Sequence, residues 1–466
     1  MNLQKRKFTT ASLRRLRCAC AIALLLATGA GGSIICVAAP PNVVLIIADD
    51  HGWHDYRFMG HAHLRTPHLD RLAAESLVFT RGYVPSSLCS PSLASIITGQ
   101  YAHVHGITCN EPPSADRQGG AAPAKRDSPA FAAGREILNA RMARAATIPR
   151  LLTARGYDSL QTGKWWQGNY AVGGFTHGLT HGELARGGRH GDDGLAIGRR
   201  TMQPIANFIA AASDAERPFF VWYAPMLPHQ PHDAPDNFVE PYRGVAPSES
   251  VARYWGNITW FDDTCGQLLA MLEQHGQRDN TIVIYLADNG WIQDPQTNRS
   301  DPRSKQSPYD GGLRTPIMMR WLGHLTPRRD DAHAITSLDV LPTVLRAAGG
   351  DLPAGLPGVN LLDDAAVARR EAIYGEVFLH TARSLDDPAA NLRYRWLIAG
   401  DWKLIVPNNA NEPAAAVELF NLVKDPDERQ TLADAEPAQV TALRGKLDAW
   451  WPGNAQSPVV PLGPLR

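Results

Sequence analysis

The 466-residue chain has no excess of charge of either sign: 46 lysines and arginines stand against 46 aspartates and glutamates. That balance removes the electrostatic ground for a nucleic-acid partner or an anionic surface. Cysteine is scarce. Of six cysteines, Cys18, Cys20 and Cys36 fall in the N-terminal segment, leaving Cys89, Cys109 and Cys265. Three is an odd number for an oxidising compartment, so full pairing is excluded and one thiol is free or converted to something else. Charge is absent altogether from Cys18 to Ala39, behind Lys5, Arg6, Lys7, Arg14, Arg15 and Arg17. A basic stretch followed by an apolar one reads as an export signal, which places the protein in the periplasm or outside the cell. A cut after Ala39 satisfies the small-residue rule with Val37, while Pro40 disfavours it, so an uncleaved anchor over 1–39 is the alternative and membrane contact depends on it. Ser12 to Leu16 also carries the Arg-Arg of a twin-arginine signal.

With 20% charged residues the remainder is ordinary globular sequence, long enough for one large core and a smaller second one. Asn42 to Ala48 and Ile282 to Leu286 are continuous apolar runs, the mark of strands buried on both faces of a mostly parallel sheet. The first ends in Asp49 and Asp50, the second in Asp288 and Asn289. Acids at the C-terminal ends of such strands sit where open α/β sheets bind ligands; a solvated turn is the plain alternative. Leu77–Thr80, Asp158–Thr162 and Phe219–Tyr223 read as further strands. Helices are expected from Thr66-Pro67 through Ala73, over 147–154 and 199–212, and over 251–275 with interruptions at Gly256 and Gly266. Residues 110–135 lack periodicity and read as a surface loop. Gly173 to Gly194 holds eight glycines among His177, His181, Arg186, Arg189 and His190, which predicts neither strand nor helix, only a polar loop lining a pocket or facing solvent.

Ser86 to Gly99 organises the chain. Pro91 suits a first helical turn and Gly99 a stop, so Cys89 stands at a helix N-terminus, where N–H groups and the helix dipole favour an anion. Such a cysteine is a reactive thiol, a disulfide half or a buried small residue.

Cys-Ser-Pro-Ser-Leu at 89–93 followed by Thr98-Gly99 resembles the signature of the type I sulfatases, in the alkaline phosphatase superfamily, where Cys-x-Pro-Ser-Arg precedes Thr-Gly. Leu93 stands in the place of the arginine. Gly163-Lys164-Trp165-Trp166 is similar to that family's Gly-Lys-Trp-His, with Trp166 in the place of histidine. Pro228-His229-Gln230-Pro231-His232, Asp288-Asn289-Gly290 and Lys305 through Gly312 match three more elements, and Trp402–Ile405 and Glu418–Leu422 resemble its C-terminal strands.

The resemblance implies an α/β fold: a large, mostly parallel or mixed sheet sandwiched by helices over 41–370, then a small antiparallel sheet with one helix over 371–466. It implies a sulfuric ester hydrolase whose nucleophile is formylglycine (3-oxoalanine), made from Cys89 by a maturation enzyme. A Cys109–Cys265 bridge beside a modified Cys89 then resolves the cysteine count. Asp49, Asp50, Asp288, Asn289 and residue 89 become ligands of a hard cation, calcium by family expectation and magnesium as alternative. Lys164 and Lys305 bind sulfate, and His229 protonates the leaving oxygen. His103, His105 or the histidines at 177–190 are candidates to replace the lost arginine and histidine. Trp165, Trp166 and the glycine-rich loop suit a sulfated carbohydrate, with Trp166 a substrate-binding wall. A phosphonate or phosphodiester hydrolase of the same superfamily, or an inactive carbohydrate-binding relative, are the alternatives.

Overall fold

The computed structural model describes residues 39–113 and 125–454. The segment read as an export signal, up to residue 38, lies outside these described residues.

Among the described residues the large sheet has nine strands: β1 (Asn42–Ala48), β2 (Leu77–Tyr83), β3 (Asp158–Gly163), β4 (His177–Gly178), β5 (Phe219–Ala224), β6 (Thr281–Ala287), β7 (Arg314–Arg320), β8 (Arg328–Asp330) and β9 (Ile335–Thr336). They lie in the order β4-β3-β5-β1-β6-β7-β2-β8, with β9 also on β2. β7 runs antiparallel to both β6 and β2, and every other pairing is parallel. The apolar run of β1 is buried at every position because both of its faces meet helices. Val43, Leu45 and Ile47 face a core shared with helices α1 (Cys89–Thr98), α2 (Pro129–Arg144) and α3 (Ile148–Thr153). Val44, Ile46 and Ala48 face a second core, shared with α4 (Gln203–Asp214) and α5 (Glu249–Gln274).

These two cores settle the cysteines. Cys109 belongs to the first and Cys265 to the second, so the sheet stands between them. All three cysteines of the described residues are free and buried, and the expected Cys109–Cys265 bridge does not form.

Two further expectations are corrected. Residues 110–135 are not loop throughout: α2 begins at Pro129, with the Ser128 hydroxyl accepting the Phe131 N–H at 3.2 Å. Phe131, Arg135, Leu138 and Met142 form its buried stripe, a helical spacing that starts inside the stretch read as irregular. α5 is continuous through Gly256 and Gly266. A Cβ at 256 would lie 2.7 Å from Val239 and one at 266 lies 2.5 Å from the His68 ring, so these glycines permit close packing and do not break the helix. The glycine-rich stretch is mostly irregular, as expected, but its His177 and Gly178 pair with Leu160 and Gln161 as the edge strand β4.

Strands β10 (Ile373–Phe378), β11 (Leu392–Ala399), β12 (Trp402–Pro407) and β13 (Glu418–Asn421) form the second sheet, antiparallel throughout. One face, with Trp396, Ile405 and Phe420, joins the first core. The other, with Leu397, Leu404 and Leu419, is covered by Leu443 and Leu447 of α6 (Pro437–Trp450). A buried ion cluster ties the two sheets. Lys403 of β12 is fully buried and bonds Asp310 at 2.8 Å and Glu428 at 2.7 Å. Asp310 also accepts from the Tyr83 hydroxyl at 3.0 Å, and its own N–H donates to Glu428 at 2.6 Å. Removing the ammonium leaves Glu428 without its buried counter-charge and Asp310 with only Arg314 at 3.6 Å and the Tyr83 hydroxyl, so Lys403→Met is expected to cost about 3–5 kcal/mol of stability. The shift of the chemical-denaturation midpoint measures this, and a loss below about 1 kcal/mol counts against the brace.

Candidate active site

Strands β3, β5, β1 and β6 are neighbours and parallel, so the residues that follow them emerge side by side on one edge of the sheet. β3 is followed by Lys164, β5 by His229, β1 by Asp49 and Asp50, and β6 by Asp288 and Asn289. β2 points the same way and leads to Cys89 at the start of α1. Lys305 arrives from the β6–β7 connection. Ala48 and Ala287 are in register, which sets Asp49 beside Asp288, and the Asp288 N–H donates to the Ala48 carbonyl at 2.8 Å. Asp50 takes a left-handed backbone with φ of 60°, a conformation that short polar side chains tolerate best. Its N–H donates to Asp288 Oδ1 at 3.2 Å, and Asn289 Nδ2 donates to its Oδ1 at 2.7 Å.

Two ammoniums hold this acidic edge together. Lys164 Nζ lies 2.6 Å from Asp49 and 3.6 Å from Asp288; Lys305 Nζ lies 2.6 Å from Asp50. Three carboxylates against two ammoniums leave one negative charge over. Burial, with Asp49 alongside, pushes the Asp288 carboxyl up to about 7. Burial also works against ionised Asp50, but Lys305, His229 and Lys164 around it hold its carboxyl well below the usual range. His229 donates from Nδ1 to the Gln230 carbonyl at 2.6 Å, which turns Nε2 toward Asp50 Oδ2 at 3.4 Å. Burial lowers this imidazole to about 3 against the pull of Asp50.

The donor set fits a hard cation. Asp49 Oδ2, Asp288 Oδ2 and Asn289 Oδ1 are buried and, among the described residues, accept no hydrogen bond. Ligand atoms of Asp49, Cys89 and Asp288 lie within 4.8 Å of one another, as do those of Asp49, Asp50 and His229. Oxygen ligands of this kind suit Ca²⁺ or Mg²⁺. The Cys89 sulfur is the exception, a soft ligand among hard ones. Its thiol is buried and pushed up to about 11, so despite the helix N-terminus it is no thiolate at neutral pH.

The two departures from the sulfatase motifs have different settings. Leu93 is 2% exposed and packs into the first core, the inward apolar role open to any helix residue. Trp166 is equally buried, its indole N–H has no partner among the described residues, and its ring carries the Arg189 guanidinium at 4.7 Å and the His190 ring at 5.3 Å. Lys164 Nζ lies 6.0 Å from the same ring. The glycine-rich loop therefore lines this site through Arg189 and His190. Its other histidines lie elsewhere: His177 meets Phe208, and His181 meets Tyr170. His103 bonds Glu376 at 3.2 Å and stacks on Trp451, which makes it a tie to the second sheet. His105 bonds Ser95 and receives the Ile107 N–H on Nδ1, inside the wall of α1.

Sequence reading missed two residues of the stretch taken for surface loop. Asn110 accepts the Ser90 N–H at 2.9 Å and so fixes the start of α1, and buried Glu111 bonds Arg189. Both contacts join distant parts of the chain, and no local pattern signals them. Gln167, also unremarked, donates to the Ser90 hydroxyl at 3.0 Å.

Residues 41–350 match the family described as Sulfatase, and residues 304–449 match the C-terminal region of N-sulphoglucosamine sulphohydrolase. Human arylsulfatase A is 31% identical over 379 residues, covering 71% of this chain and 68% of that protein. Human N-acetylgalactosamine-6-sulfatase is 26% identical over 464 residues, covering 87% and 84%. Among solved structures, one in complex with a neocarrahexaose superposes with a TM-score of 0.69 at 22% identity, over 89% of this chain and 94% of its own.

Two measurements follow from these charges. In chelator-treated protein, Lys164→Met strands Asp49 and Asp288 against each other and is expected to cost about 3–5 kcal/mol, part of it regained on adding a millimolar divalent cation. Equal denaturation midpoints for variant and parent count against the pairing. His105, buried and neutral, is held down to about 3 by burial while the unfolded ring titrates at 6.5. The unfolded chain binds the extra proton between those values, so His105 stabilises fully above pH 6.5 and its contribution is lost as pH falls toward 3, at about 1.4 kcal/mol per unit. His105→Gln is expected to flatten that slope by one proton.

Proposed function

The chain belongs to the sulfatase family and hydrolyses sulfate esters, and from that premise we propose that it acts on sulfated carbohydrates with formylglycine at position 89 and calcium on the acidic edge. The observation that carries this reading is the convergence of Asp49, Asp50, Asp288 and Asn289 with Lys164, Lys305 and His229 around Cys89. A thiol at 89 is both un-ionised and the wrong ligand for a hard cation, whereas an oxygen-bearing side chain there completes an all-oxygen set. Formylglycine supplies the nucleophilic oxygen. Asp49, Asp50, Asp288 and Asn289 would hold the cation, which would supply positive charge against the sulfate.

The chain's own groups do the rest. Lys164 and Lys305 neutralise Asp49 and Asp50, and their remaining N–H donors would be available to bind the sulfate oxygens. His229 Nδ1–H is engaged by the Gln230 carbonyl, so a proton for the departing ester oxygen can leave only from Nε2. Burial disfavours the charged ring, and Asp50 together with an anionic substrate pulls toward it. Arg189, on the face of Trp166 and paired with buried Glu111, places a guanidinium in the same wall. Cys89 is 1% exposed, so a maturation enzyme must reach it before the chain folds.

A carbohydrate is supported by the relative named for N-acetylgalactosamine 6-sulfate and by the similar fold solved with a neocarrahexaose. Export follows from the basic and apolar N-terminal sequence; among the described residues no helix is long and apolar enough to cross a membrane.

Peptide mass spectrometry over 82–117 of protein from its native host is expected to find formylglycine or its hydrate at 89, and a wholly unmodified thiol overturns the nucleophile. Lys164→Ala, Lys305→Ala and His229→Ala are each expected to lower sulfate release by about 10²-fold or more. Chelation is expected to abolish turnover, with calcium restoring it better than magnesium.

A further inference from the structure

His229 stands at the rim of a cavity of about 670 Å³, within the range of small-molecule sites. It opens on the side of His229 where Gln230 and His232 follow, between the first turns of α5 and the loop at 296–298. Its lining is made of hydrogen-bonding side chains. Glu249 and Arg253 pair at 2.8 Å and present a carboxylate and a guanidinium, and Gln296 and Asn298 present amides. Gln230 Nε2 and His232 Nε2 are buried at this wall and, among the described residues, have no partner. Between them these groups offer donors and acceptors over one continuous surface, while the methylene stems of Glu249, Arg253 and Gln296 offer short apolar faces. A ring with hydroxyls around its edge and C–H on its faces satisfies that pattern; a flat aromatic or polycyclic alcohol leaves the buried Gln230 and His232 nitrogens without a partner.

The wall is held in place. Gln293 Nε2 donates to the Ser250 hydroxyl and to the Thr297 carbonyl, both at 2.8 Å, and the Ser250 hydroxyl donates to that same carbonyl at 2.5 Å. Gln293 in turn accepts the Trp291 indole N–H at 3.0 Å, and Lys305 Nζ lies 5.8 Å from the Trp291 ring. The cavity and the lysine at the acidic edge are thus positioned by one segment, 291–305. His229 itself lines the cavity, so the cavity borders the group whose Nε2 faces the acidic edge.

We propose that the cavity holds the saccharide that carries the reacting sulfate, so that the substrate is a sulfated oligosaccharide extending from His229 toward Arg253 and Asn298. This rests on the hydrolase reading above for the direction of the chain, and on the cavity alone for its chemistry. Arg253 and Asn298 are then specificity-determining residues, outside the reacting groups.

The test compares the full-length matured protein with Arg253→Ala and Asn298→Ala, using 4-nitrophenyl sulfate and a panel of sulfated di- to hexasaccharides of carrageenan and glycosaminoglycan type. The ratio of kcat/KM for the preferred oligosaccharide over the aryl ester is expected to fall at least tenfold in each variant, through KM. A ratio within twofold of the parent's overturns the proposal, as does a parent that prefers the aryl ester to every saccharide. Should the parent turn over nothing, the hydrolase reading fails separately, and calorimetric titration with the same saccharides decides. Saturable binding weakened tenfold in the variants supports the cavity, and absent or undiminished binding overturns it.

Discussion

Three carboxylates share one end of two neighbouring parallel strands, and much of the molecule is arranged around that fact. Asp49 and Asp288 follow strands in exact register, and unit charges about 4 Å apart repel by about 4 kcal/mol even at an effective dielectric near 20. Left alone the arrangement would be unstable. Lys164, just after the strand two places away, and Lys305, on the connection after β6, are the fixed counter-charges, and both are buried with the acids they face. The oxygens of Asp49, Asp288 and Asn289 that accept no hydrogen bond among the described residues mark what the lysines do not satisfy, a place that fits a hard cation.

The same constraint explains the attachment of the second sheet. Lys305 can oppose Asp50 only if the segment from 305 to Asp310 is immobile. Asp310 is anchored by Tyr83 of the large sheet and by Lys403 of the small one, with Glu428 completing the cluster. Two buried ion clusters, five residues apart along the chain, therefore position one lysine. Neither is justified by stability alone, since burying charge is costly; each fixes geometry.

At the two positions that depart from the resembled motifs, both side chains are uncharged. Leu93 joins the apolar core, and Trp166 fills the space beside Lys164 with a large ring that bears no charge. Arg189 from the glycine-rich loop lies on that ring, tied down by Glu111, and His190 lies against it. The aromatic face gives a cation a weak but directional partner. A loop too rich in glycine for regular structure can follow the path that brings both residues in.

Much of this was legible before any coordinates. Continuous apolar runs mark β1, β5 and β6 as buried on both faces, and the acids at 49, 50 and 288 as lying at strand ends, because local composition reports burial directly. The proline and glycine that bound the Cys89 helix act through local backbone geometry, and so they too can be read from sequence. Long-range matters could not be: that Cys109 and Cys265 lie on opposite sides of the sheet, that Asn110 pins Ser90, that Gly256 and Gly266 admit Val239 and His68. The α2 stripe was readable but masked by the alanine-rich sequence around it. Which histidine reaches the site is the clearest case. His103, His105, His177, His181 and His190 are chemically alike in sequence, and only the packing of the loop against Trp166 brings His190 in, because a side chain's surroundings are set by segments far from it in the chain.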